Sequence, residues 1–222
     1  MQAEDPKILS RRLRHRRAGS ARAGLAWLLA LVDDHDSNTG GHSRRVAEAA
    51  DAVSRMLGLA GAHISMIREV ALLHDIGKVV VPRPVLAKPG PLDHKEQALL
   101  QLHPLFSASI IARVKGLTHL VPAVLHHHES WDGSGYPRGL CGPAIPLEAR
   151  IVLVADAYDA MTSFRPYAAP RSSGEAVAEI ESWAGHRFDP RIAAALRQAF
   201  EEGLLDEVGS RHHEFHGTPT IP

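Results

Sequence analysis

The chain has 222 residues, enough for one domain with a full hydrophobic core, and its hydrophobic (45%) and charged (23%) contents are typical of a globular protein. The formal net charge is zero, which excludes a global field attracting nucleic acid, so we expect no nucleic-acid polymer as a partner. A single cysteine, Cys141, excludes a disulfide framework, and the longest apolar run, residues 24–32, is too short for a membrane helix of ~20 residues. We therefore expect a cytoplasmic protein without a transmembrane segment.

Basic residues are concentrated at the amino terminus. Residues 1–22 contain seven Lys or Arg and two Asp or Glu, which gives this segment a net charge of +5. We interpret it as a solvated basic tail, with a segment that binds anionic lipid or RNA as the alternative. Residues 206–222 are interpreted as a flexible carboxy-terminal tail. The folded domain is then residues 23–205, with its core at about 31–200.

Apolar residues recur at helical spacing along most of the chain, which predicts an all-α fold. Gly77 is predicted to cap the helix that precedes it, and residues 130–146, with four glycines, are predicted to form a loop. No alternating pattern predicts paired strands. The predicted helices are 23–33, 43–57, 62–75, 92–114 (one or two helices, broken near Pro104), 120–128, 147–164, 173–184 and 190–202.

Histidine is the most informative residue type, because 15 are present and histidine is the commonest metal ligand in proteins. His74 and Asp75 are adjacent on a predicted helix, where their side chains would project about 100° apart. The pair could serve one metal ion, or Asp75 could bridge two. Lys78 lies four residues after His74 and could hold a substrate phosphate. Alone this signal is weak, since a helix-end carboxylate beside a surface histidine would look the same.

Five further residues favour a metal site over separate structural roles. His42 precedes a predicted helix, and His103 stands at a predicted helix start. His127 and His128 end a helix just before the glycine-rich loop. Asp156 lies mid-helix among apolar and small residues, where a carboxylate is costly unless it is paired or binds a metal. Taken singly, the histidines could be surface residues and Asp156 a buried ion-pair partner.

The order of these elements resembles the HD-GYP family, the branch of the HD superfamily whose members hydrolyse cyclic di-GMP. The resemblance covers about residues 31–200, and its motifs are long and specific. They are 39–43 (TGGHS), 74–78 (HDIGK), 103–104 (HP), 127–129 (HHE), 131–137 (WDGSGYP), 145–151 (IPLEARI), 156–163 (DAYDAMTS), 165–167 (RPY) and 188–190 (FDP).

The resemblance implies an HD-domain helical bundle with additional carboxy-terminal helices and a glycine-rich loop. It implies a phosphodiesterase that converts cyclic di-GMP to pGpG, and in some members to GMP, by a metal-bridged hydroxide. Two divalent metal ions, iron or manganese, would be the cofactors. The implied metal ligands are His42, His74, Asp75, His103, His127, His128 and Asp156.

The same resemblance implies roles in catalysis and substrate binding. Asp75 matches the bridging carboxylate and Lys78 the lysine that contacts phosphate, so both are predicted catalytic residues. The predicted substrate-binding residues are Lys78, Gly135, Tyr136, Pro137 and Arg165.

Two positions depart from the family pattern. Some members hold a third metal with a glutamate four residues before the first histidine, and this chain has Asn38 there. We therefore expect two metals, and hypothesise that such a site releases pGpG and not GMP. Phe164 replaces an acidic residue common before Arg165, and no consequence follows from it.

Several alternatives stay open at this point. The substrate could be another cyclic dinucleotide, such as the hybrid cyclic GMP–AMP. Other HD-type folds hold di-iron oxygenases, and some signalling relatives are inactive sensors or partner-binding modules, although degenerate ligands would be expected there. Within the loop, Trp131 could be a platform for a base or an anchor in the core, and we favour the anchor. Asp132 could contact water or the loop backbone, or simply form a turn before Gly133. Tyr136 could stack on guanine or pack the loop, and Glu129 could orient a neighbouring histidine.

The motifs do not indicate how the activity would be regulated. About 40 residues precede the first of these motifs, at 39–43, too few for a sensor domain. We therefore expect control by a regulatory protein partner, by homodimerisation through the helix around Trp27, or by expression level.

Overall fold

The computed structural model describes residues 21–35, 37–164 and 169–205, with the side chains of residues 32–40 outside this description. The described part contains no β-strand, only an isolated bridge between Ala184 and Phe188, so the predicted all-α class is confirmed. Short 3-10 helices cover Ile76–Val80, Thr118–Leu120 and Gly142–Ala144. The α-helices are α1 (Ala21–His35), α2 (Ser37–Met56), α3 (Gly61–Leu73), α4 (Arg83–Leu86), α5 (His94–Leu100), α6 (His103–Ile111), α7 (Val121–Leu125), α8 (Leu147–Thr162), α9 (Ser173–Ser182) and α10 (Pro190–Glu201).

Helix α8 lies at the centre of the bundle and packs against α2, α3, α9 and α10. Its residues 151–155 are all buried and apolar, so this stretch of the helix faces the core around its whole circumference. Helix α2 contributes Val46 and Val53 to the same core, and α3 contributes Ile67 and Val70. Asp156 directly follows the buried stretch, so the fold carries this carboxylate into the interior of the bundle. Among the described helices, none combines the length and the apolar character needed to span a bilayer.

Helix α2 starts earlier than predicted. It begins at Ser37, so the prediction that His42 precedes a helix is wrong: His42 lies inside α2. Gly40 and Gly41 have poor helix propensity, but packing of α2 against α3 and α8 overrides it. As a result, His42 projects from a regular helix in the core.

The His74-Asp75 pair lies where one helix type changes to another. Helix α3 ends at Leu73, and the 3-10 helix begins at Ile76. His74 keeps α-helical dihedrals, but Asp75 has φ −98° and ψ 3°, so the predicted continuous helix through Asp75 is wrong. The tighter turn brings Asp75 and Lys78 together, with the Lys78 amide donating to the Asp75 carbonyl at 2.9 Å.

Gly77 does not form the predicted left-handed cap, since its φ is not positive. It is required by close packing instead: a Cβ atom there would lie 2.1 Å from the His103 carbonyl oxygen and 2.5 Å from the Ser107 nitrogen. The Ser107 hydroxyl accepts from the Gly77 amide and donates to the His74 carbonyl, both at 2.8 Å. Gly77 and Ser107 therefore hold the start of α6 against the His74-Asp75 turn.

The remaining predicted helices are present with shifted ends, whereas the short helix α4 lies in a segment where no helix was predicted. The predicted helix 92–114 is interrupted between Leu100 and His103, so that Pro104 falls in the first turn of α6. Helix α7 ends at Leu125, three residues earlier than predicted, and His127 and His128 follow it.

Replacing Gly77 with alanine tests this packing. We expect Gly77→Ala to lower the free energy of unfolding by about 1–3 kcal/mol, because the added methyl group meets backbone atoms that cannot move separately. Urea unfolding followed by far-ultraviolet circular dichroism measures the change. Gly61→Ala is the control, since no atom lies within 4 Å of a Cβ there and alanine is the better helix former. Equal stability of the two variants would contradict the packing role of Gly77.

Candidate metal centre

The seven predicted metal ligands meet at one place in the bundle. They form two groups, and within each group one potential ligand atom per residue lies within 4.8 Å of all the others. The segments that supply them are far apart in sequence, so it is the fold that brings the residues together. The first group is Asp75, His103, His127 and His128, and the second is His42, His74 and Asp156.

Asp75 belongs to the first group and also approaches the histidines of the second. Its Oδ1 atom is 3.1 Å from His103 Nε2 in the first group. Its Oδ2 atom is 3.4 Å from His74 Nε2 and 3.8 Å from His42 Nε2 in the second group. The Asp75 side chain is only 3% exposed, so both carboxylate oxygens face the interior.

Backbone carbonyls orient three of the histidines. The Nδ1 atoms of His74, His103 and His127 lie 2.6, 2.8 and 2.7 Å from the carbonyl oxygen three residues earlier. A carbonyl oxygen only accepts, so each Nδ1 carries a proton, and Nε2 is the nitrogen of each ring that can offer a lone pair to the site. This is the arrangement typical of metal-binding imidazoles.

The arrangement leaves acceptors facing one another. His74 Nε2 and Asp75 Oδ1 are buried and have no hydrogen-bond partner among the described residues. His103 Nε2 and His127 Nε2 lie 3.2 Å apart, although both Nδ1 atoms are the proton carriers. Lone pairs that converge in this way repel unless a cation lies between them. The described residues thus include a His/Asp cluster that fits metal ions, and imidazole and carboxylate without thiolate suit iron, manganese, nickel or zinc.

The electrostatics keep His127 and His128 neutral. Burial lowers the pKa of His127 well below its ordinary value, and the neighbouring histidines lower it further. Burial likewise lowers the pKa of His128 to about 3, despite the opposing charges of Asp75 and Asp156. Neutral imidazole is the form that binds metal, so both rings are ready to act as ligands at neutral pH.

His42 is held by Asp159, a residue whose role was not predicted. The His42 Nδ1 atom lies 2.6 Å from Asp159 Oδ2, and Arg45 Nε donates to Asp159 Oδ1 at 2.5 Å. Burial alone would lower the pKa of His42, but its hydrogen bonds with Asp156 and Asp159 outweigh this and raise it to about 9. The sequence signal was the spacing of Asp156 and Asp159, which places both on one face of α8.

Lys78 contacts Asp75 directly. The Lys78 Nζ atom donates to Asp75 Oδ2 at 2.5 Å, and its side chain is 31% exposed. Burial would raise the pKa of Asp75, but the positive charge of Lys78, the largest opposing cause, helps to hold that pKa well below its usual range. The Lys78 side chain therefore lies at the solvent-exposed side of the metal centre, with its ammonium group on the buried Asp75 carboxylate.

The glycine-rich loop covers His128. The Tyr136 ring stacks on the His128 ring, with centroids 4.9 Å apart and an interplanar angle of 29°. Gly135 is needed beneath it, because a Cβ atom there would lie 2.2 Å from the Ser130 nitrogen. The Tyr136–Pro137 peptide bond is cis. The loop residues predicted to bind substrate thus lie beside the histidines.

The other loop predictions have mixed outcomes. Asp132 accepts a hydrogen bond from the Ser134 amide at 2.9 Å, which is the predicted turn. The Trp131 ring is partly buried with the Arg150 guanidinium 5.6 Å from its centre, consistent with an anchor. Glu129 contacts His126, a neighbouring histidine that belongs to neither metal group, and two loop amides. Arg165 and the side chain of Asn38 lie outside the described residues.

Comparisons with known proteins identify the family of the chain. A family model described as "HD domain" matches residues 27–192. The cyclic di-GMP phosphodiesterase response regulator RpfG of Xanthomonas campestris pv. campestris is 40% identical over 177 residues, which are 79% of this chain and 47% of RpfG. The 3'3'-cGAMP-specific phosphodiesterase 3 of Vibrio cholerae is 39% identical over 183 residues, 82% of this chain and 40% of that protein.

A solved structure shares the fold. The crystal structure of the V. cholerae cyclic GMP-AMP-specific phosphodiesterase V-cGAP3 matches with a TM-score of 0.62 and 21% identity, over 84% of this chain and 50% of that one. This chain spans about half the length, or less, of the curated relatives named above. The family match, the level of identity and the motifs agree, and the chain belongs to the HD-domain family, in its HD-GYP group.

Proposed function

We propose that this chain is a metal-dependent phosphodiesterase that hydrolyses cyclic di-GMP to the linear dinucleotide pGpG. The observation that carries the proposal is the position of Asp75, whose two oxygens face two separate sets of histidines. A carboxylate that reaches two metal positions is the arrangement used for in-line attack on phosphate esters. The RpfG resemblance supports cyclic di-GMP as the substrate.

The proposed cofactors are two divalent metal ions, with iron or manganese as the expected identity. One would be held by the group of Asp75, His103, His127 and His128, and the other by His42, His74, Asp156 and the second oxygen of Asp75. When bound, the ions would supply Lewis acidity that activates water and offsets charge on the phosphoryl oxygens.

The chain's own residues would orient the substrate. Lys78 Nζ is partly exposed beside Asp75, so it can donate to a phosphoryl oxygen while remaining next to the buried carboxylate. Gly135, Tyr136 and Pro137 form the edge of the site next to His128 and would limit access of bulk water. Arg165 is proposed as a further phosphate or base contact from its match to the family motif.

Asp159 would act as a positioning residue. It holds His42 Nδ1 at 2.6 Å, so the opposite nitrogen is directed at Asp156 and Asp75. Because Arg45 and Ser163 also bind Asp159, its carboxylate has little freedom to rotate. The ring of His42 would therefore need no reorientation when a metal binds, although it would release its Nε2 proton to the solvent.

A second candidate substrate is 3'3'-cyclic GMP–AMP. The observation that favours it is the near-equal identity to RpfG and to the V. cholerae enzyme specific for that dinucleotide. The two substrates share the phosphodiester chemistry and differ in one base. The choice therefore depends on contacts to the base, and not on the metal groups.

Removing the bridging carboxylate tests the metal centre. We expect Asp75→Asn to lower the metal content from about two ions per chain to less than one, and turnover by about 100-fold or more, because a neutral amide cannot replace a carboxylate shared by two ions. Elemental analysis of anaerobically purified protein measures the content. His94→Ala, an exposed histidine at the start of α5, is the control and should match the wild type. Normal metal content in Asp75→Asn would argue against a bridge.

Lys78 is tested separately from metal binding. We expect Lys78→Ala to retain metal but to lower kcat/KM by about 100-fold, because the variant lacks the cation next to the transferred phosphoryl group. Steady-state kinetics with cyclic di-GMP measures the loss. The control is Lys95→Ala on exposed α5, which should leave kcat/KM unchanged. A Lys78→Ala enzyme with normal kcat/KM would remove Lys78 from the proposed mechanism.

Product analysis tests both the substrate and the role of Asn38. With two metals and no glutamate at position 38, we expect pGpG to accumulate and GMP to be absent at early times. Reactions are run with cyclic di-GMP, with 3'3'-cyclic GMP–AMP, and with both in competition. Chromatography identifies the products and shows which substrate is hydrolysed faster. GMP as the sole early product would contradict the two-metal, single-cleavage hypothesis. Preference for cyclic GMP–AMP would select the second candidate.

A further inference from the structure

Glu129 is a buried carboxylate that belongs to neither metal group. Glu129 is only 1% exposed, and it directly follows His128 in sequence. A carboxylate buried to this degree is stable only when its oxygens are hydrogen-bonded. The identity of its partners therefore indicates what it does.

The partners of Glu129 are backbone amides of the glycine-rich loop. The Arg138 N–H donates to Oε1 at 2.7 Å, and the Leu140 N–H donates to Oε2 at 3.1 Å. His126 Nδ1 lies 3.3 Å from Oε1 as a third, longer contact. Both oxygens thus bind the loop, so Glu129 has no oxygen directed to the metal centre.

The loop held by Glu129 is the one that covers His128. Tyr136 precedes Arg138 by two residues, its amide donates to the His128 carbonyl at 3.1 Å, and its ring stacks on the His128 ring. Gly135 lies in direct contact with the backbone of Glu129, where a Cβ atom would be 2.5 Å from the Glu129 Cα. One short segment, residues 128–129, therefore carries a proposed ligand and also the anchor of the neighbouring loop.

We propose that Glu129 is a positioning residue that holds residues 135–140 against the histidine pair and thereby sets the affinity for the cyclic dinucleotide. The part about affinity rests on the proposed function. Without the two hydrogen bonds from the loop amides to Glu129, Tyr136 would keep its backbone hydrogen bond to His128. The segment after Tyr136 would no longer be held in one conformation. The pocket edge would then vary in position, and substrate binding would weaken more than metal binding.

The test uses Glu129→Gln, which preserves the size of the side chain. A glutamine offers one oxygen, and its NH2 group faces an amide that also donates, so one loop amide loses its acceptor. We expect the Arg138 or Leu140 amide proton, or both, to exchange roughly tenfold faster or more, as befits a lost hydrogen bond to a charged group. Amide exchange followed by NMR measures this, with the amides of α2 and α8 as internal references that should not change.

The same protein is assayed for metal and kinetics. We expect the metal content to remain at the wild-type level, KM to rise about tenfold and kcat to change less than about threefold. His126→Ala is the matched control, because it removes the third contact of Glu129 and leaves both loop amides bonded. It should exchange and turn over like the wild type.

Three results would overturn the proposal. Unchanged exchange at both Arg138 and Leu140 in Glu129→Gln would show that Glu129 does not hold the loop. Loss of metal to the extent seen in Asp75→Asn would assign Glu129 to the metal centre instead. Faster exchange with an unchanged KM would remove its effect on affinity. A wild-type protein that turns over no cyclic dinucleotide would instead overturn the proposed function and the affinity part, while the exchange result still decides the anchor.

Discussion

The site depends on the burial of one carboxylate, that of Asp75, among histidine nitrogens from four segments of the chain. A carboxylate in the interior is costly, and here Lys78 offsets part of that cost at 2.5 Å, while the Oδ1 atom accepts no hydrogen bond from the part of the chain that the structure describes. The arrangement is therefore less well satisfied by the protein alone than an ordinary buried ion pair. That deficit is the physical basis for inferring metal ions at this position.

The rest of the fold can be understood as the support for this carboxylate. The change from α3 to a 3-10 helix directs Asp75 inward, and Gly77 lets α6 approach closely enough for His103 to face it. The buried stretch 151–155 of α8 brings Asp156 into the same space, and α2 supplies His42, whose Nε2 lies 3.2 Å from Asp156 Oδ1. Backbone carbonyls and Asp159 then fix the tautomer of the rings. Each of these contacts orients a proposed metal ligand, and the ligands themselves would bind the metal ions.

Much of this could be predicted from the sequence. The helices follow from apolar spacing, and the seven proposed ligands from motifs whose order is specific. Helix ends were less predictable. The helix predicted to start at residue 43 starts at Ser37, because tertiary packing continues α2 through Gly40 and Gly41, and Gly77 provides clearance where a cap was predicted. The partners of Glu129 and Asp159 could not be predicted, because they depend on which amide or ring lies nearby after folding. Spacing along a helix carries that information for Asp159 only in part, and for Glu129 not at all.

The central claim is that Asp75 binds two metal ions, one through each oxygen. Anomalous diffraction from crystals of anaerobically prepared protein, collected at the iron and manganese absorption edges, tests it most directly. The account predicts two peaks on either side of Asp75, one next to His103, His127 and His128 and the other next to His42, His74 and Asp156. A single peak, or metal-loaded protein in which Asp75 contacts only Lys78, would contradict it.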